Sequence, residues 1–299
     1  MIIVIDALNR NRFGAVLDEM HRLRARVFGD RLGWEVSVKD GKEIDRFDAL
    51  DPVHFVGLDD EGHVISCLRV LQTTGPHMLS DVFHAILDGE PPLRSSTLWE
   101  STRFCVDTRR LGSGRGRNSV SFATSELMAG SLEYARQAGI RDIVTVIDPI
   151  MDRVLKRSDN APYDYLGSTK PMGKVSAMAA LLDVTEERIA GIRRFAGIEG
   201  ELLLGDEAAL ELFERGQAQI GGGSNVVPLR REEPAEAPRT TVGLDEVMAY
   251  CVDQIRSSKT PEERSAALAV VREVLNATEK ARAEKAALGT SELSLSRVH

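Results

Sequence analysis

Two apolar runs each carry an arginine where a buried strand should be wholly apolar, and that conflict constrains the fold more than any other feature. Arg69 lies in Ile65-Ser66-Cys67-Leu68-Arg69-Val70-Leu71, and Arg103 in Leu98-Trp99-Glu100-Ser101-Thr102-Arg103-Phe104. A guanidinium inside a strand needs a wet face or a carboxylate partner, because an unpaired buried charge is very costly. For Arg69 the wet face stays open, since Ser66 and Gln72 nearby are polar. Carboxylates are also at hand: Glu43, Asp45 and Asp48 follow one another closely, although acids in a loop are more often simply solvated. Glu100 and Arg103 stand three apart, so strict alternation puts them on opposite faces of their strand. A bulge would be needed to bring them together.

The segments around these runs order themselves as strands and helices. Ile2 to Ile5 reads as a first strand, and Phe13, Val16, Leu17, Met20, Leu23 and Val27 mark one face of a helix over 12–27. Residues 29–52 show no sustained period and read as a long loop. Val53–Leu58 and His63–Leu71 form a hairpin about the turn Asp59-Asp60-Glu61-Gly62. Strands at 98–106, 143–147 and 175–182 alternate with helices at 119–137, 149–157 and 185–195, the middle one opened by the cap Asp148 and a first-turn Pro149. The class is α/β (α+β), a mixed sheet covered by helices.

With 38 basic and 46 acidic residues the formal charge is −8, which argues against nucleic acid as a partner. Cys67, Cys105 and Cys251 are far apart, so neither a zinc site nor a disulfide framework is indicated, and a reducing cytoplasm is the simplest location. The apolar run at the N-terminus is too short to span a membrane. Residues 1–200 form the main domain, 201–241 a short helix and a flexible linker whose glycine- and proline-rich part begins at 216, and 242–290 a helical hairpin extension of unknown role. That extension offers an apolar face for self-association.

Arg24, Phe28, Trp34, Glu43, Asp45, Asp48, Arg69, Glu100 and Arg103 occur in the contexts RxxVFxxRLGW, GxExDxFD and WExTRF, and LRVLQTTGPHML follows the same pattern. In this order and spacing the chain, to about residue 200, resembles the acyl-homoserine lactone synthases, the LuxI-type autoinducer enzymes. The resemblance implies a GNAT-like three-layer fold. It also implies acyl transfer from a thioester to the amine of S-adenosylmethionine, giving N-acyl-L-homoserine lactone and methylthioadenosine, with no tightly bound cofactor and no metal.

That substrate carries a sulfonium, an ammonium and a carboxylate. Asp45, Asp48, an arginine such as Arg24, and the rings of Phe28 and Trp34 are suitable complements. The ammonium must lose a proton before attack, which assigns Glu100 as general base, with Arg69, Arg103 and Glu43 completing the catalytic set. The backbone at Phe104 is a candidate oxyanion donor.

The acyl donor is acyl carrier protein or acyl-CoA. Asp107 to Asn118 is rich in arginine and glycine, with Arg109, Gly112 and Gly114 in a loose pyrophosphate-loop pattern, and a basic loop without ligand is equally compatible. The resemblance places Thr145 where the family has a threonine associated with 3-oxo acyl chains, and Arg153, Lys156 and Arg157 where it docks an acidic carrier. Basic residues in a last helical turn also simply complement the helix dipole. Rival readings are a CoA-dependent GNAT-type N-acetyltransferase and a non-catalytic synthase-like binding module.

Overall fold

The computed structural model describes residues 1–112, 116, 118–172 and 175–221. Seven strands form one sheet: β1 (Ile2–Ile5), β2 (Val53–Leu58), β3 (Val64–Gln72), β4 (Leu98–Val106), β5 (Asp142–Ile147), β6 (Asp164–Met172) and β7 (Val175–Asp183). Their spatial order is β1-β2-β3-β4-β5-β7-β6. Every neighbouring pair is antiparallel except β4 and β5. A parallel pair needs a long crossover, and the longest described helix supplies it. The helices are α1 (Gly14–Arg24), α2 (Met78–Asp81), α3 (Val120–Gln137), α4 (Pro149–Arg157), α5 (Glu186–Ala196) and α6 (Asp206–Gly221).

Strand alternation divides the core between two faces. Ile3, Ile5 and Val56 point to one face, where they pack with Phe13, Val16, Met20 and Leu23 of the α1 segment and with Ala209, Leu212 and Phe213 of α6. Ile2, Phe55 and Val70 point to the other face and meet Leu127 of α3. Further along the sheet, Leu132 of α3 and Ile192 of α5 close over Ile143, Ile147 and Leu182. Among the described residues no helix is long and apolar enough to cross a membrane.

Most elements expected from the sequence stand within a residue or two of their limits, and the departures have local causes. The segment expected to be a bare loop after α1 instead holds a π-helical turn (Ala25–Arg31), a two-stranded ribbon (Val38–Lys39 with Lys42–Glu43) and a 3-10 turn (Arg46–Ala49). Strand β6 was not expected at all. It lies mostly exposed at the sheet edge, contains Gly167 and Pro171, and shifts register between Leu166 and Lys170, so no apolar alternation is written into it. Gly167, at φ +59°, comes so close to Ile86 that an added Cβ would sit 1.8 Å from its carbonyl oxygen.

At the other end, Leu202 and Leu204 extend the main domain beyond residue 200 by exchanging backbone hydrogen bonds with Ile2. Residues 216–221, expected as the start of the linker, belong to α6, which runs to Gly221. Gly216 is glycine for packing: a Cβ there would stand 2.6 Å from the carbonyl oxygen of Glu61. The rest of the expected linker and the helical hairpin at 242–290 lie outside the described residues.

Candidate active site

Arg24 ends α1 on its inward face, and the chain widens there into the π-helical turn that turns Val27 and Phe28 into the core. The ribbon that follows reverses at Asp40 and Gly41, both at positive φ, and sets Glu43 inside with no exposure. Asp45 and Asp48 then fix each other through the backbone. The Phe47 amide donates to Asp45 Oδ1 and the Asp45 amide to Asp48 Oδ2, both at 2.8 Å. This reciprocal cap aims two carboxylates at the sheet.

From the sheet side come the two strand arginines. On β3, Arg69 points straight at them. Arg103 reaches them because β4 carries one extra residue: Cys67 opposes Cys105 while Arg69 opposes Thr102, and Arg103 in the gap adopts φ +56°. A bulge of the kind needed to bring Glu100 and Arg103 together is present, and it turns Arg103 toward Glu43 and Asp45, while Glu100 bonds the Met78 and Leu79 amides instead.

Six side chains close into a ring. Arg24 meets Glu43 at 2.5 Å and grips Asp48 with two nitrogens at 2.8 and 2.9 Å. Glu43 meets Arg103 at 3.0 Å, and Arg103 meets Asp45 at 2.6 Å. Arg69 holds Asp45 at 2.5 and 2.9 Å and completes the circuit to Asp48 at 2.8 Å. Three cations and three anions cancel, and each carboxylate has two arginines, which is what makes such burial tolerable.

Burial alone would raise the Asp45 and Asp48 carboxyls, but the guanidinium bonds from Arg69 and Arg24 hold both below the usual range. His21 and His54 pack beside the ring. Burial pushes them down to about 4 and about 3, so they add no charge at neutral pH.

Only one edge of the ring reaches solvent: the side chain of Asp45 is 17% exposed and that of Arg103 10%, whereas Arg24, Glu43 and Arg69 have none. Beside that edge Trp34, 38% exposed, stacks on buried Phe28 at 5.2 Å, and the Arg103 guanidinium lies 5.6 Å above the Phe28 ring.

Glu100 sits apart from the ring. Its two oxygens accept the backbone amides of Met78 and Leu79, each at 2.6 Å. Burial raises its carboxyl to about 7 against the pull of those amides. Met78 joins the two parts, its sulfur standing 3.4 Å from Arg69 and 3.6 Å from Arg103. Met78 and Leu79 were missed from the sequence as site residues, since their contribution is backbone. The Gly75-Pro76 turn before them was the available signal.

Strands β4 and β5 pair only from Leu98 with Asp142 to Ser101 with Thr145, then part. Thr145 donates its hydroxyl to the Ser101 carbonyl at 3.0 Å where they diverge. Phe104, beyond the divergence, packs its ring among the core clusters next to α3. Arg153, Lys156 and Arg157 are exposed on α4. Lys156 is held by Asp152 at 2.8 Å and lies over the Tyr165 ring. The Arg109 and Arg110 amides donate to Asp107, and Gly114 of the glycine pattern lies outside the described residues. Among the described residues the grouping with metal-ligand spacing is Asp59, Glu61 and His63, where Arg110 already bonds Asp59 at 2.8 Å.

The family model for autoinducer synthases matches residues 9–192. An acyl-homoserine-lactone synthase of Agrobacterium fabrum is 38% identical over 181 residues, covering 60% of this chain and 85% of the relative. Among solved structures, the synthase LasI is 30% identical with TM-score 0.57, covering 67% of this chain and 98% of its own. MesI, a CoA-dependent acyl-homoserine lactone synthase, is 28% identical with TM-score 0.59, covering 68% and 98%. A family match over well more than half of the chain, on the residues that build the ring and hold Glu100, makes this chain a member of the autoinducer synthase family.

Proposed function

We propose that the chain transfers an acyl group from a carrier thioester to the amine of S-adenosylmethionine and lactonises the product, releasing N-acyl-L-homoserine lactone and methylthioadenosine for quorum sensing. The observation that carries this reading is a buried carboxylate, Glu100, raised to about 7 and joined through Met78 to a neutralised Arg and carboxylate ring that is open at one edge. A carboxylate that titrates near neutrality is in part ionised at pH 7, and buried Glu100 would accept the proton of an ammonium substrate through a water.

The partly exposed Asp45 and Arg103 present an anion and a cation side by side, the complement of an amino-acid zwitterion, and Trp34 adds a ring face for the sulfonium. Arg24, Glu43, Asp48 and Arg69, spent on the ring's ion pairs, act as positioning residues in this reading. The freed amine attacks the thioester carbonyl, and the amide of Phe104 on the unpaired stretch of β4 faces the developing oxyanion. The thiol leaves. The methionyl carboxylate then attacks the carbon bearing the sulfonium, displaces methylthioadenosine and closes the lactone, a step made fast by proximity.

The opening between β4 and β5 would receive the pantetheine arm, with Thr145 at its floor. The carrier is acyl carrier protein docked on Arg153, Lys156 and Arg157, or coenzyme A, in keeping with the likeness to MesI. Residues 242–290 would serve self-association; unchanged oligomer size after deletion of 222–299, which spares α6, would refute that role. The activity itself is tested with S-adenosylmethionine and acyl thioesters on carrier protein and on coenzyme A. Methylthioadenosine and acyl lactone are the expected products, and no methylthioadenosine from any donor overturns the assignment.

A further inference from the structure

Glu100 depends on two backbone amides, and something must keep those amides in place. They follow the loop 73–77, which has no regular structure of its own. Arg94, on the approach to β4, directs a single terminal nitrogen at the carbonyls of Thr73, Thr74 and Gly75, at 3.1, 3.2 and 2.8 Å. Thr73, fully buried, ties the start of the loop to the base of β4 by donating toward the carbonyls of Ser95 and Leu98 at 3.0 and 2.8 Å. His77, also fully buried, engages the Gly75 carbonyl through Nδ1 at 2.9 Å. The loop is thus fastened at its beginning, along its carbonyls and at its end, immediately before Met78.

We propose that Arg94 and Thr73 are positioning residues for Glu100: by fixing the carbonyls of the 73–77 loop they hold the amides of Met78 and Leu79 against its carboxylate. The inference rests on Glu100 being the site's base only for its catalytic consequence, not for its structural one. Amides bonded to a carboxylate favour the ionised form, so loosening them favours the proton. The other charged groups acting on Glu100 are Arg69 on β3, which favours the ionised form, and Asp81 on α2, which opposes it. His77 is kept neutral mainly by burial, so it does not compete in this range.

The test is an infrared titration of the intact protein, following the carboxylic acid band that Glu100→Gln removes. The wild-type midpoint should fall near 7, and both Arg94→Ala and Thr73→Val should move it upward by about one pH unit. Thr73→Val changes no charge, so a shift in that variant cannot arise from loss of the arginine's field. Titrations of both variants coincident with wild type overturn the inference. Methylthioadenosine release is measured over the same pH range. If its acidic limb moves with the band, both the positioning role and the base assignment hold; if the band moves and the limb does not, the positioning role holds and Glu100 is not the base.

Discussion

The ring and Glu100 flank Met78 and handle buried negative charge in opposite ways. In the ring every carboxylate is gripped by two guanidiniums, and Asp45 and Asp48 stay ionised far below neutrality. Glu100 has only two amides, and burial brings it to about 7. The same functional group becomes a fixed brace in one place and a proton acceptor in the other, and the difference is the charge of its partners. Glu100→Gln should therefore lower methylthioadenosine release by about 10²–10⁴-fold, with binding of S-adenosylmethionine preserved in calorimetry. A variant turning over at the wild-type rate would dissolve the contrast.

Stability separates the two regions next. Arg24 has no exposure and alone bridges Glu43 and Asp48, so Arg24→Met keeps much of the volume but leaves Glu43 with Arg103 only, Asp48 with Arg69 only, and the buried ring one positive charge short. Removing one partner of a buried ion pair costs about 3–5 kcal/mol. Urea unfolding should show that loss as a lowered midpoint with little change in slope. Glu100→Gln should show no comparable loss at neutral pH.

The pH dependence of stability gives the third contrast, and its sign follows from the direction of each shift. Glu100 titrates at about 7 when folded against 4.5 as an ordinary glutamate. Its contribution is complete below 4.5 and is lost as pH rises to 7, about 3 kcal/mol in all. Asp45 and Asp48, held low, contribute above the ordinary aspartate range and lose that contribution only as pH falls below it. Replacing Glu100 by Gln should remove the decline between 4.5 and 7 and leave the acid limb untouched.

How much of this was legible in the sequence depends on whether side chains or backbone carry the feature. Arg69 and Arg103 inside apolar strands called for either a wet face or carboxylate partners, and the three-residue spacing of Glu100 and Arg103 called for a bulge only if the two were to meet; the partners and a bulge at Arg103 are both present, without that meeting. What stayed hidden is made by main chain: the Met78 and Leu79 amides on Glu100, and the ribbon and 3-10 turn that order residues 38–49. Strand β6 was invisible because an exposed edge with Gly167 and Pro171 carries no period. Gly216 misled for the opposite reason, since a glycine required by close packing looks like a linker glycine.

The smallest effect lies at the rim where the two regions meet solvent. Trp34 is stacked on Phe28 and contributes no hydrogen bond to the ring, so replacing it should leave the ring intact and Glu100 unchanged. Its part in the proposed reaction is a ring face for a sulfonium at a partly exposed site, worth about 1 kcal/mol. Trp34→Ala should then raise KM for S-adenosylmethionine by about fivefold at nearly constant kcat, because the contact exists before and during the transition state alike. Trp34→Phe, which keeps a ring, should recover most of that difference. A fall in kcat without a rise in KM would instead place Trp34 among the groups that act on the reacting atoms, and would move the boundary between brace and acceptor outward to the rim.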